Sequence, residues 1–151
     1  EIKRISFVEP SFVTPYLVII AVVLGVSIFM MRFMPRMMAG VPFVEPKAVH
    51  DLMEGGKELV IIDVRTAEEF TSPLGHVPGS INMVELDLDN RLKGAGNKFD
   101  SLKAEPVFVI CRTQNRSPRA ARLLTKFGFT NVAIIKGGMM SWEKQGLPVE
   151  K

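Results

Sequence analysis

The pattern of apolar and polar positions divides the chain in two. Residues 10–31 carry no charge, and Tyr16 to Met31 is apolar on every face. A helix with no polar stripe must bury itself in protein or in lipid. Pro15 to Met34 spans 20 residues, about 30 Å at about 1.5 Å per residue, the thickness of a bilayer's hydrocarbon. Thr14 reads as an N-cap with Pro15 at the first helical position. Arg32 and Arg36 can carry their charges to the interface on long stems. The pattern therefore predicts an N-terminal flank over 1–14, a transmembrane helix over 15–34, a Gly- and Pro-containing linker over 35–45 and a folded domain over 46–151. Lys3 and Arg4 precede the apolar run, whereas Arg32, Arg36 and Lys47 follow it. The positive charges thus lean toward a single-pass protein with a cytoplasmic domain.

From residue 46 onward the periodicity changes. Pro46 to Glu54 has apolar residues at helical spacing and ends at Gly55-Gly56. Leu59 to Ile62, Pro106 to Ile110 and Asn131 to Ile135 are short continuous apolar runs, the signature of strands covered on both faces. Thr66-Ala-Glu-Glu69 is a capping box that opens a short helix. Ser117 to Phe127 reads as a helix with Ser117 as cap and Pro118 at its first position, stopped by Gly128. Gly137-Gly138 leads into a last helix carrying Trp142. Strands alternating with helices predict an α/β fold, a mainly parallel central sheet wrapped by helices.

Composition changes this picture little. Residues 41–151 hold 15 Lys and Arg against 14 Asp and Glu. The basic pI of the whole chain is therefore no footprint of nucleic acid. One Cys and two His exclude an internal disulfide and argue against a zinc cage, and no cofactor is called for.

The one Cys has a distinctive address. Cys111 follows the Pro106–Ile110 strand and precedes a helix, and in parallel sheets ligands bind beyond the carboxyl ends of the strands. The loop Cys111-Arg112-Thr113-Gln114-Asn115-Arg116 turns from strand to helix, a geometry that gathers backbone N–H groups into an anion nest. The dipole of the following helix adds positive charge, and Arg112 and Arg116 bracket the loop. Such surroundings stabilise anionic sulfur, the nucleophilic form of cysteine.

Ile61-Ile-Asp-Val-Arg65, Glu69-Phe70, Gly75-His-Val-Pro-Gly-Ser-Ile-Asn82, Cys111 to Ser117, Ala120-Ala121, Gly128-Phe129 and Gly137-Gly138 with Trp142 together resemble the rhodanese domain in order and spacing, over roughly residues 44–150. The resemblance implies a cysteine that accepts sulfane sulfur, becomes a persulfide and passes the sulfur to a thiol or to cyanide. It implies Cys111 as the carrier, with Arg112, Thr113, Gln114, Asn115, Arg116 and Ser117 around the substrate and Asp63 and Arg65 supporting the loop. His76, in the Gly-His-Val-Pro-Gly motif, is expected to be structural. The six-residue span from Cys111 to Arg116 matches sulfurtransferases; phosphatase relatives use seven. Gln114 departs from the Gly common at mid-loop and is expected to strain the backbone if left-handed. Thr71 to Leu74 is slightly longer than usual for the family.

The expected function is a membrane-anchored sulfurtransferase using a small sulfur anion such as thiosulfate and an external thiol acceptor. The alternative is an accessory or scaffolding subunit of a larger membrane complex with little or no catalysis. Membrane lipid is an expected contact in both.

Overall fold

A computed structural model describes residues 13–151, with side chains from Pro15 to Met31 and from Gly40 onward. It divides into two compact units, one ending at Pro35 and the other spanning Arg36–Lys151. The expected flank over 1–14, with Lys3 and Arg4, and the capping side chain of Thr14 fall outside the described residues.

The first unit holds most of a helix, α1 (Val13–Ala39), whose large apolar side chains from Tyr16 to Met31 are all exposed. Among the described residues no helix is long and apolar enough to cross a membrane. This corrects the sequence expectation: the single-pass span is not supported. The cytoplasmic orientation inferred from it, the lipid contact and the membrane complex lose their basis as well.

The second unit runs β1 (Phe43–Val44), α2 (Pro46–Glu54), β2 (Val60–Asp63), α3 (Ala67–Phe70), β3 (Ile81–Asn82), α4 (Leu88–Gly94), a 3-10 segment (Gly96–Leu102), β4 (Val107–Ile110), α5 (Ser117–Lys126), β5 (Val132–Ile135) and α6 (Gly138–Lys144). The strands form one sheet in the order β1-β5-β4-β2-β3, every pairing parallel. β1 lies in the stretch expected as linker and pairs Phe43 with Ile134.

The continuous apolar runs follow from burial on both faces, because successive strand residues point to opposite sides. Ile62, Val107, Val109, Val132 and Ile134 join Leu88 and Leu92 of α4 and Ala120, Ala121 and Leu124 of α5 in one core layer. Ile61, Phe108, Ile110, Ala133 and Ile135 join Val49 of α2 and Met139 and Trp142 of α6 in the other. The Trp142 indole N–H donates to the Pro148 carbonyl at 2.8 Å, so this buried aromatic leaves no polar group unpaired. In the β2–β4 register Asp63 lies opposite Ile110. The carboxyl ends of the two strands thus bring Asp63 and Cys111 to one edge of the sheet.

Candidate functional site

Three segments build this edge: the end of β2 with α3, the loop after β4, and the start of α6. Asp63 and Arg65 are both fully buried. The Arg65 guanidinium donates from Nε to both Asp63 carboxylate oxygens at 3.0 and 2.9 Å, and from Nη2 to Oδ2 at 2.7 Å. Its remaining donors go to the carbonyls of Glu69 at 3.0 Å and Gly75 at 2.8 Å. Arg65 thereby ties the end of β2 to α3 and to the Gly75-His76 turn.

The capping box is present as expected: Glu69 N–H donates to Thr66 Oγ1, and Thr66 N–H donates to Glu69 Oε2, each at 3.2 Å. The same Glu69 carboxylate accepts two hydrogen bonds from Arg116, at 2.6 and 2.8 Å. Such bidentate pairs are among the stronger charged contacts. The Arg116 hydrogen bonds, with help from the Thr66 N–H, lower the Glu69 carboxyl to about 2. Arg116 is raised in turn, first by Glu69 and in smaller part by the charge of Cys111. The sequence placed Arg116 on a substrate anion; the structure engages it with Glu69. The site role of Glu69 was missed, although its place in the capping box marked it as a fixed carboxylate.

Cys111 is buried at 1 % exposure. The loop after it is held from α6: Met139 N–H donates to the Cys111 carbonyl at 2.9 Å and Met140 N–H to the Arg112 carbonyl at 3.0 Å. Gly137 N–H donates to the Gln114 side-chain oxygen at 3.1 Å. Gly138 adopts φ +59°, and a Cβ there would overlap the carbonyl oxygens of Cys111 and Thr113. With its carbonyls drawn toward α6, the loop leaves the N–H groups of residues 112–116 without a partner among the described residues. The expected strain at Gln114 is absent, since no described non-glycine residue has a positive φ. Its amide oxygen reaches Gly137 instead.

Ser117 is the first residue of α5 and not its cap, which is Arg116. The Ser117 hydroxyl is buried and has no partner among the described residues. Thr113 and Asn115 are exposed. His76 stacks on Phe70 at 3.7 Å between ring centroids and its Nδ1 lies 3.1 Å from the Phe70 carbonyl. Both contacts are made to Phe70, outside the Cys111 loop.

Residues 45–145, more than half of the chain, match the rhodanese-like domain family. The chain belongs to the rhodanese-like family. Thiosulfate sulfurtransferase 16, chloroplastic, of Arabidopsis thaliana is 34 % identical over 109 residues, covering 67 % of this chain and 86 % of that protein. The adenylyltransferase and sulfurtransferase UBA4 of Candida albicans is 35 % identical over 102 residues. That match covers 66 % of this chain and 23 % of the relative, so the rhodanese-like domain corresponds to under a quarter of that longer protein. The solution structure of the rhodanese-like domain of an Anabaena protein superposes with a TM-score of 0.61 at 26 % identity, over 72 % of this chain and 78 % of that one. Sequence expectation and comparisons agree on an α/β rhodanese fold with a central parallel sheet flanked by helices.

Proposed function

We propose that the protein is a sulfurtransferase in which Cys111 carries sulfane sulfur as a persulfide. The observation that carries this reading is the loop around Cys111, where a buried thiol precedes five backbone N–H groups left without partners among the described residues. Oriented N–H groups of this kind form a concave anion site, suited to the terminal sulfur of a persulfide.

With thiosulfate, the Cys111 sulfur attacks the outer sulfur atom. A new S–S bond forms, the old one breaks, and sulfite leaves with the electron pair. An external thiol then attacks the outer sulfur of the persulfide, forming its own S–S bond and returning Cys111 as the thiolate. The acceptor's proton is released or transferred to the departing sulfur. These 151 residues contain no second cysteine, so none of them supplies the acceptor thiol.

In this reading the amides of Arg112, Thr113, Gln114, Asn115 and Arg116 receive the anionic sulfur, and the free Ser117 hydroxyl is a further donor beside them. Arg116 closes the loop through Glu69, and Asp63 and Arg65 hold the strand end. That thiosulfate sulfurtransferases occur among the relatives supports the chemistry. Intact-protein mass spectrometry after incubation with thiosulfate tests it. A mass gain of one sulfur atom, absent in Cys111→Ser and reversed by a thiol, is expected; an unchanged wild-type mass would sink the reading.

A further inference from the structure

Charge in residues 41–151 is near balance overall, but one stretch is strongly one-sided. Of the 15 Lys and Arg there, five lie between Cys111 and Lys126, namely Arg112, Arg116, Arg119, Arg122 and Lys126. No Asp or Glu lies among them. Helical geometry sorts these charges. Ser117, Pro118, Ala120, Ala121 and Leu124 bury the inner face of α5, and the spacing of Arg119, Arg122 and Lys126 sets them in a row on the exposed face. At about 1.5 Å per residue that row runs about 10 Å. It starts three residues beyond the Cys111–Arg116 loop.

The row forms one wall of a groove of about 400 Å³. Glu85, Leu86 and Asp89, from the turn into α4 and its first residues, form the other, and Leu123 also lines it. Both acids of the groove are already engaged: Glu85 pairs with Arg119 at 3.1 Å, and Asp89 pairs with Lys93. Arg122 and Lys126 have no partner among the described residues, and neither has the exposed Arg112 beside Cys111. Leu86 is apolar yet 79 % exposed. The groove thus joins a surplus of positive charge to an apolar patch of Leu86 and Leu123.

None of residues 111–116 lines the groove, so a small molecule held there would not reach Cys111. An occupant that engages both must be large enough to cover α5 and the loop together. A nucleic-acid backbone would meet the carboxylates of Glu85 and Asp89 and leave Leu86 and Leu123 unused. A protein surface that mixes carboxylates with an apolar side chain complements both features. We propose that this face of α5 docks an acidic protein that presents an acceptor thiol to Cys111. The inference rests on the sulfurtransferase reading and adds the class of partner. In the docked state the partner's thiolate, its proton already lost to water, attacks the outer sulfur of the Cys111 persulfide. A new S–S bond forms on the partner, the bond to Cys111 breaks, and Cys111 leaves as the thiolate with the electron pair. Complementary charge of this kind acts mainly on the encounter rate, and salt screens it.

The test loads the whole chain with sulfur from thiosulfate and follows its transfer by mass spectrometry. The acceptors are a glutamate-rich peptide with a single Cys and a Leu, the same peptide with Gln for every Glu, and β-mercaptoethanol. The glutamate peptide is expected to take sulfur about tenfold faster than its glutamine counterpart at about 0.05 M salt, and the gap should close at about 0.5 M. R122Q with K126Q, both at exposed positions, should reduce the preference to about twofold or less. Loading of Cys111 and transfer to β-mercaptoethanol should stay unchanged in that variant. Equal rates for the two peptides, or a preference that survives R122Q with K126Q, overturns the docking surface and leaves the persulfide standing. An oligouridylate that displaces the glutamate peptide at equal concentration also overturns it, assigning the face to nucleic acid. Failure to load Cys111, or to pass sulfur to any of the acceptors, overturns the sulfurtransferase reading and this one with it.

Discussion

Arg65 shows how a charge can be fully buried at the sheet edge with every guanidinium nitrogen hydrogen-bonded. Its guanidinium meets the Asp63 carboxylate and two carbonyls. Removing one partner of such a pair strands the other charge in the interior, at a cost of about 3–5 kcal/mol. Arg65→Met is therefore expected to lose that much stability in urea unfolding; a loss under about 1 kcal/mol would show that the pair is dispensable. Gln114 makes a smaller, more local contribution. Gln114→Met keeps the bulk but not the acceptor for Gly137 N–H. Amide hydrogen exchange of Gly137 should then quicken severalfold, while the unfolding midpoint moves little. Unchanged exchange would mean that the two backbone bonds from α6 suffice. This bond was not legible in the sequence, because the turn allowed either a left-handed residue or a side chain reaching out. Only the observed negative φ decides between them.

At the scale of elements, α3 and the Cys111 loop are joined by one carboxylate. Glu69 has a folded value near 2 against an ordinary 4.5, so it binds protons less readily when folded. Its contribution to stability is present above about pH 4.5 and is lost as pH falls toward about 2. Wild type should therefore lose stability through that interval more steeply than Glu69→Gln, as followed by urea unfolding at a series of pH values. Parallel pH profiles would remove Glu69 as the origin. The capping box was readable from Thr66 and Glu69 alone, because its spacing is local. Its link to Arg116, 47 residues on, leaves no mark in local spacing. The strands at 60–63, 107–110 and 132–135 lie within one residue of the apolar runs that announced them. β1 and β3 escaped notice because two residues carry no periodicity. The helix after Cys111 was legible, but its cap shifts from Ser117 to Arg116, leaving the Ser117 hydroxyl free.

At the scale of the whole molecule, the two core layers draw on no described residue before Val41. A chain beginning at Arg36 is accordingly expected to keep its fold and its capacity to take up sulfur. A midpoint shift under about 4 °C corresponds to less than about 1 kcal/mol in a domain of this size. Loss of cooperative unfolding would assign the first unit a structural duty. The apolar run was easy to see in the sequence, but among the described residues no helix is long and apolar enough for the role assigned to it.

The bonds from α6 to the loop also impose an order in time. Cys111 leaves the ribosome well before Met139 and Met140, which hold the carbonyls of Cys111 and Arg112. At about 5–20 residues per second, the nascent cysteine waits roughly 1–6 s for the donors that shape its loop. A nascent chain halted at Lys136 would hold the thiol without those donors. On the proposed role of Cys111, competence to carry sulfur arrives only with nearly the last segment of the domain to be synthesised.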